Sequence, residues 1–291
     1  MGKDLADAFP IARQTFEEAD EVLGTSLSDV MWQGPDDELT RTHNAQPAIL
    51  VHSIAVHRVL ADRLPAIKFG AGHSLGEFSA YVAAGAMSFG DAVRTVRRRG
   101  ELMFNAGQER TGTMAAILGM EDADLERVCL EASGKGGEVV PANYNAPGQL
   151  VISGDVPSVQ NAMALAKANG AKKAVQLNVS GAFHSPLMMP AEAGLRVQLD
   201  NVAMEAPKFP IVSNVTAQPV SDVVEARRLL IEQLTSPVRW TACVRTMIEH
   251  GVAELIELGP GTVLTGLMKR IDKSARARAV GKAEEVNGWQ S

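Results

Sequence analysis

Five residues, Gly72-His73-Ser74-Leu75-Gly76, restrict the folds open to this chain more than any other feature. They follow a short extended stretch, Ile67 to Ala71. They lead into a run of small and apolar residues, Leu75 to Ala84, that suits a helix packed on a sheet. Gly-X-Ser-X-Gly between strand and helix is the nucleophile elbow. Its glycines let the backbone turn where a β-carbon would clash, and the turn presents the Ser74 hydroxyl above the sheet edge. The N–H of Leu75, with a helix N-terminus behind it, is then placed to stabilise an oxyanion. So short a pattern also occurs in turns that merely contain a serine, so its weight comes from the strand and helix on either side.

The flanking periodicity extends this picture. Pro10–Leu23 reads as a helix opened by Pro10 and closed by Gly24, a second helix runs from about Ala45 to Leu64, and Ser88 caps a third from Phe89 to about Asn105. The middle of the chain changes character. Thr113–Leu118 is extended, Asp122–Ala132 helical, Glu138–Ala142 and Gln149–Ser153 extended about a turn at Asn145–Gly148, Val156–Asn169 helical and Lys173–Asn178 extended. That order is βαββαβ, the ferredoxin-like split unit, and it marks residues 108–179 as an insert. Strand and helix alternate again afterwards, so residues 1–107 and 180–291 are expected to form an α/β domain around a mostly parallel sheet. The polar tail after Lys273 is expected to fray.

Composition removes several functional classes. The net charge is -6 and the basic residues are scattered among acidic ones, unlike the clustered Lys and Arg of a nucleic-acid surface. The strongest apolar run, Pro47–Val59, is broken by His52, His57 and Arg58 and is too short to span a bilayer. The N-terminus has no apolar signal region. Cys129 and Cys243 lie far apart without metal-ligand spacing, which suits a reduced, cytoplasmic, metal-free protein.

A serine nucleophile needs a base, and the chain offers His43, His52, His57, His73, His184 and His250. His52 and His57 belong to a long helix, and His250 lies near a helix end where an imidazole commonly caps carbonyls. His73 adjoins Ser74, but adjacent side chains in an extended turn point to different sides. His184 lies in a strand-to-helix loop, Val179 to Pro186, where catalytic groups tend to be carried. That placement favours His184 without excluding the others.

Several further segments, taken with these, carry a likeness. Gly72–Glu77 and Gly181-Ala182-Phe183-His184-Ser185 resemble the malonyl-CoA:acyl carrier protein transacylases of fatty acid synthesis. So do Arg99-Gly100, Asn143–Gln149, Gln233–Val238 and Glu257–Gly261. The resemblance runs from Met1 to about Ile271 and implies a hydrolase-like α/β domain carrying a ferredoxin-like insert. It implies Ser74 as the acyl-accepting nucleophile, His184 as its base, and Gln233 as the residue whose backbone carbonyl accepts the His184 ring N–H. On its own, Gln233 reads equally well as a solvated helix-end residue. Arg99 would hold the malonyl carboxylate in two parallel charge-assisted hydrogen bonds. Arg97-Arg98-Arg99 is also a charge run of the kind that faces water, but helical neighbours are about 100° apart, so one can point inward alone. Met103 and Phe183 would wall the pocket, with Phe183 crowding a branched acyl group; both also suit plain core positions.

The implied reaction has two steps and needs no metal or redox cofactor. Ser74 takes the malonyl group from malonyl-CoA, and the phosphopantetheine thiol of acyl carrier protein then removes it. Carrier proteins are acidic, so a local basic patch is expected, with Lys172, Lys173, Lys269 and Arg270 as candidates. The family opens with a strand ending in Gly-Gln-Gly-Ser-Gln, whereas Met1-Gly2-Lys3-Asp4-Leu5 aligns with the segment after it. The expectation drawn here is a start assigned to an internal methionine. Two other readings stand beside it: a serine esterase or thioesterase using the same elbow, and a non-catalytic scaffold that binds carrier protein and has lost activity.

Overall fold

The helix opened by Pro10 is found at Pro10–Leu23 and ends at Gly24, whose left-handed φ of 62° no β-branched residue would tolerate. In the computed structural model, which describes residues 1–134 and 137–290, it packs on the long helix Thr42–Leu60. That helix in turn packs on Phe89–Glu109, whose N-cap Ser88 accepts the Asp91 N–H as expected. Phe16, Leu50, Ile54, Phe78 and Val96 lie in the core these helices share. Fully burying a side chain of that size contributes about 1.5–3 kcal/mol.

Among the described residues eight strands are defined: β1 Gly112–Leu118, β2 Val139–Ala146, β3 Gln149–Asp155, β4 Lys173–Gln176, β5 Ile211–Val212, β6 Pro219–Val220, β7 Glu254–Leu258 and β8 Arg276–Val280. Strands β1 to β4 form one antiparallel sheet in the order β2-β3-β1-β4. Its two helices, Asp122–Ala132 and Val156–Ala168, fall in the predicted places. Ile117, Leu125, Leu150, Ile152 and Val159 pack between helices and sheet. Register slips in β2 around Asn143 and Asn145 bend that strand away from β3. The bend lets Asn143 bridge to Val238 in the other part of the chain, with Tyr144 N–H donating to Val238 O (2.9 Å).

The mostly parallel sheet expected for the remainder is not what forms; the fold is mixed α/β with small sheets. Among the described residues, parallel pairing is confined to β7 with β8 and to two isolated bridges. The predicted strands Ile67–Ala71 and Phe209–Ser213 do run side by side. Gly70 N–H donates to Pro210 O (2.9 Å) and Val212 N–H to Gly70 O (2.8 Å). Pro210 has no N–H to return, and the contact stays a single bridge, Gly70 to Ile211. On its other side the Ile67–Gly72 segment faces β7 across a cavity of about 860 Å³ rather than a ladder. The tail after Lys273 also departs from expectation. Residues Arg276–Val280 form β8, Ala283–Asn287 is helical, and Trp289 docks with its indole N–H on Arg63 O (3.2 Å). Arg-Ala-Arg-Ala-Val alternates polar and apolar residues, a strand signal hidden by the tail's overall polarity.

Candidate active site

Ser74 stands between the Ile67–Gly72 segment and the helix Gly76–Ala83 with φ of 50°, and His184 has φ of 57°. A left-handed non-glycine residue costs on the order of 1–3 kcal/mol and persists only when its surroundings hold it. At Ser74 the holding group is Asn214, which accepts the Ser74 N–H (2.7 Å) and donates to Gly72 O (2.8 Å), clasping both arms of the turn. Of the two flanking glycines only Gly72 is sterically required. A β-carbon there would lie 2.0 Å from the Gly76 carbonyl carbon, whereas one at Gly76 would meet nothing within 4 Å. The Leu75 N–H donates to no protein acceptor among the described residues, so it remains available to an oxyanion.

The Ser74 Oγ lies 2.7 Å from His184 Nε2, and His184 Nδ1 lies 2.8 Å from the backbone oxygen of Gln233. A carbonyl only accepts, so Nδ1 carries the hydrogen and Nε2 is free to take the serine proton. Ser185 fixes the His184 loop, donating to Ala182 O (2.7 Å) and accepting the Leu187 N–H. Gly107 lets the loop lie against the helix, since a β-carbon there would come 2.4 Å from Ser180 O. His73 is turned away from Ser74, as expected, and pairs with Asn145 Oδ1 (2.8 Å). His250 caps its own helix through Thr246 O, and His52 is buried in the core.

The triple-arginine run divides by face. Arg98 is exposed and bonded to Glu101, Arg97 reaches Asn44, and Arg99 is 1% exposed. Its helix can approach because position 100 is glycine, where a β-carbon would lie 2.5 Å from His43 Cα. Arg99 donates to Gln46 Oε1 (2.6 Å), to Gln233 Oε1 (2.9 Å) and to Ser74 Oγ (3.0 Å). Burial lowers the guanidinium to about 10, partly offset by Glu77, so it stays charged at neutral pH. Gln233 is fully buried rather than solvated. Its amide nitrogen donates to Glu77 Oε2 (2.7 Å) and Ser74 O (3.1 Å). Gln46 and Asn214 went unread in the sequence, and Asn145 was read only as part of a turn and of the Asn143–Gln149 likeness, without a role. A glutamine beside the apolar run of the Thr42–Leu60 helix was a usable signal for the first.

Burial, then the Arg99 charge, pushes His184 down to about 3 from the usual 6.5. The base is therefore unprotonated throughout the neutral range. The acid limb of serine acylation is expected well below pH 6, and a limb centred at 6.5 would contradict this. Because the folded value lies below the unfolded one, the contribution of His184 to stability is full above pH 6.5 and is lost as pH falls toward 3. Among the described residues no group of three or more His, Cys, Asp or Glu is placed to hold a metal ion.

The acyl transferase domain family model matches residues 1–289. The malonyl CoA-acyl carrier protein transacylase of Bacillus subtilis (strain 168) is 47% identical over 286 residues, covering 98% of this chain and 90% of that protein. The chain belongs to the malonyl CoA-acyl carrier protein transacylase family. A crystal structure of an acyl carrier protein S-malonyltransferase from Vibrio cholerae superposes with a TM-score of 0.96 at 43% identity, covering 99% of this chain and 94% of that one. A second, a malonyl-transacylase in complex with a type II PKS acyl-carrier protein, gives a TM-score of 0.95 at 44% identity, with coverages of 99% and 93%.

Of the residues that the likeness to the transacylase family singled out, Ser74, His184, Gln233 and Arg99 form one hydrogen-bonded cluster. Leu75 adjoins it in the turn. Met103 is 3% exposed, and its sulfur accepts from Gln46 Nε2 (3.4 Å), one residue removed from Arg99. Phe183 is half-buried beside His184 and packs against the main core and the Met114–Ala142–Val151 cluster.

Proposed function

We propose that Ser74 takes the malonyl group from malonyl-CoA and passes it to the phosphopantetheine thiol of acyl carrier protein, supplying fatty acid synthesis. His184 Nε2 removes the serine proton as Oγ attacks the thioester and returns it to the departing CoA thiolate. The backbone carbonyl of Gln233 keeps the required tautomer, and the Leu75 N–H receives the developing oxyanion. In the second step the carrier thiol attacks the malonyl-serine ester, with His184 again handling the proton.

One observation carries the malonyl reading. Arg99 is a buried cation bonded only to neutral oxygens, with one amine group 3.0 Å from the nucleophile. Among the described residues no ion pair includes it. Glu77 acts on Arg99 only through space, so a buried cation with no carboxylate in hydrogen-bond contact has room for one, and the free carboxylate of a malonyl group attached at Ser74 would supply it. An esterase has no use for that cation, and a non-catalytic scaffold has no use for the Ser74–His184 pair. Met103 and Phe183 wall the acyl site in this reading, with Phe183 disfavouring branched groups.

The residues 108–179 form a ferredoxin-like insert in a hydrolase-like α/β body made of 1–107 and 180–291. The insert's βαββαβ order and antiparallel pairing support this. No described helix is long and apolar enough to cross a membrane, and a cytoplasmic setting fits the buried free cysteines, Cys129 and Cys243. For the carrier, Lys172 packs over Gly119 beside the β2–β3 turn, and Arg270 reaches Gln149 in the same place. Lys173 opens β4 next to them, so these basic residues gather near Asn145, the partner of His73. Lys269 neighbours Arg270 on its helix.

The test is Arg99→Ala with malonyl-CoA and acetyl-CoA as donors and carrier protein as acceptor. The expected loss in kcat/KM for malonyl-CoA is at least about 30-fold, the effect of removing one partner of a buried charge pair. Acetyl transfer should hold or rise. Equal losses with both donors would defeat the assignment.

A further inference from the structure

Beneath the nucleophile lies a second buried charge that the transfer reaction does not use. Glu77, one turn after Ser74, is fully buried. Its Oε2 accepts the Gln233 amide (2.7 Å) and the Asn214 N–H (3.1 Å), while Oε1 has no hydrogen-bond partner. Arg99 can only donate, so it claims the Gln233 amide oxygen, and the amide nitrogen is left facing Glu77. Cation, amide dipole and carboxylate thus stand in line, each fixing the orientation of the next. Asn214, the residue that clasps the elbow, hangs from the same carboxylate oxygen through its backbone.

From this chain we infer that Glu77 is a positioning residue of the site. Its carboxylate holds the Gln233 amide and the Asn214 clasp in place, and it is the buried countercharge that moderates the pull of Arg99 on a substrate carboxylate. The inference rests on the malonyl reading above and assigns Glu77 two separable duties, one of shape and one of charge. Burial raises the Glu77 carboxyl to about 7, against the Asn214 N–H, the Gln233 amide and the Arg99 charge, which lower it. At pH 8 the carboxylate form prevails.

Glu77→Gln keeps an acceptor oxygen for Gln233 but removes the charge, whereas Glu77→Ala removes both. At pH 8, with folding checked by thermal melting, Glu77→Gln is expected to raise the malonyl-over-acetyl ratio of kcat/KM. A rise of roughly three- to tenfold matches one moderated charge contact. Glu77→Ala is expected to lower kcat about tenfold or more for both donors, because Gln233 loses its acceptor and the elbow its clasp. A folded Glu77→Gln protein whose ratio is unchanged or lower overturns the countercharge role. A purely structural role would move both donors alike in Glu77→Gln, and that result overturns it too. A folded Glu77→Ala protein with wild-type kcat overturns the positioning role. Wild type and Arg99→Ala run in the same assay: no malonyl preference in the wild type would fault the malonyl reading itself.

Discussion

Ser74→Ala is expected to abolish covalent capture of the malonyl group. Intact-mass measurement after mixing with malonyl-CoA should show one added malonyl on the wild type and none on the variant. Transfer to carrier protein should fall by roughly five to six orders of magnitude, the scale seen when a serine nucleophile is removed. The size follows from how little else in the cluster can attack. Arg99 has no basic lone pair to offer and Gln233 presents only amide groups. Both cysteines are buried, with burial pushing Cys129 up to about 12 and Cys243 higher still. An adduct that persists in Ser74→Ala would remove Ser74 from the mechanism.

The second large effect is expected from a residue with no reactive group. Gly72→Ala would force a β-carbon to 2.0 Å from the Gly76 carbonyl carbon and 2.1 Å from its oxygen. Those atoms are backbone, so no side-chain rotation relieves the overlap, and the turn must open. The clasp by Asn214, which spans Gly72 O and Ser74 N–H, then breaks with it. The destabilisation should exceed the ordinary single-substitution range of about 0.5–3 kcal/mol, read as a depressed melting temperature together with loss of the malonyl adduct. Gly76→Ala provides the contrast. With open space at its β-carbon, it should stay within about 1 kcal/mol of wild type and keep its adduct. If the two variants behaved alike, steric need at Gly72 would not explain the motif.

These contrasts show where the sequence was legible. The helices Pro10–Leu23 and Asp122–Ala132 match their predicted ends to the residue; the first is marked locally by Pro10 and Gly24, and the second by its apolar spacing. The element order across residues 108–179 was readable from the same kind of periodicity. The failure of the expected parallel sheet to form was not readable, since pairing between distant segments depends on which donors survive at the join, and Pro210 withholds one. Within the site, turn context pointed to Ser74, and loop context favoured His184 without excluding the other histidines. Arg99 needed the family likeness to be told from its two neighbours, and burial then separated them. Gln46, Asn145 and Asn214 are neutral side chains whose importance lies wholly in what they touch across tens of residues. Apart from the position of Gln46 beside an apolar run, a single sequence carries no local trace of such contacts. Glu77 sat inside the motif, yet nothing in the sequence said that its carboxylate would be buried against Gln233.

The reach of Arg99 has a last consequence. Its charge is second only to burial among the influences that keep His184 from holding a proton. In the proposed reaction a carboxylate bound to Arg99 would offset part of that charge and make the imidazole more basic, while burial, the larger influence, stays. An acyl group without a carboxylate would then meet a weaker base at the same distance from Ser74. Discrimination would act on turnover as well as on binding, so raising the concentration of an uncharged competitor would not fully overcome it.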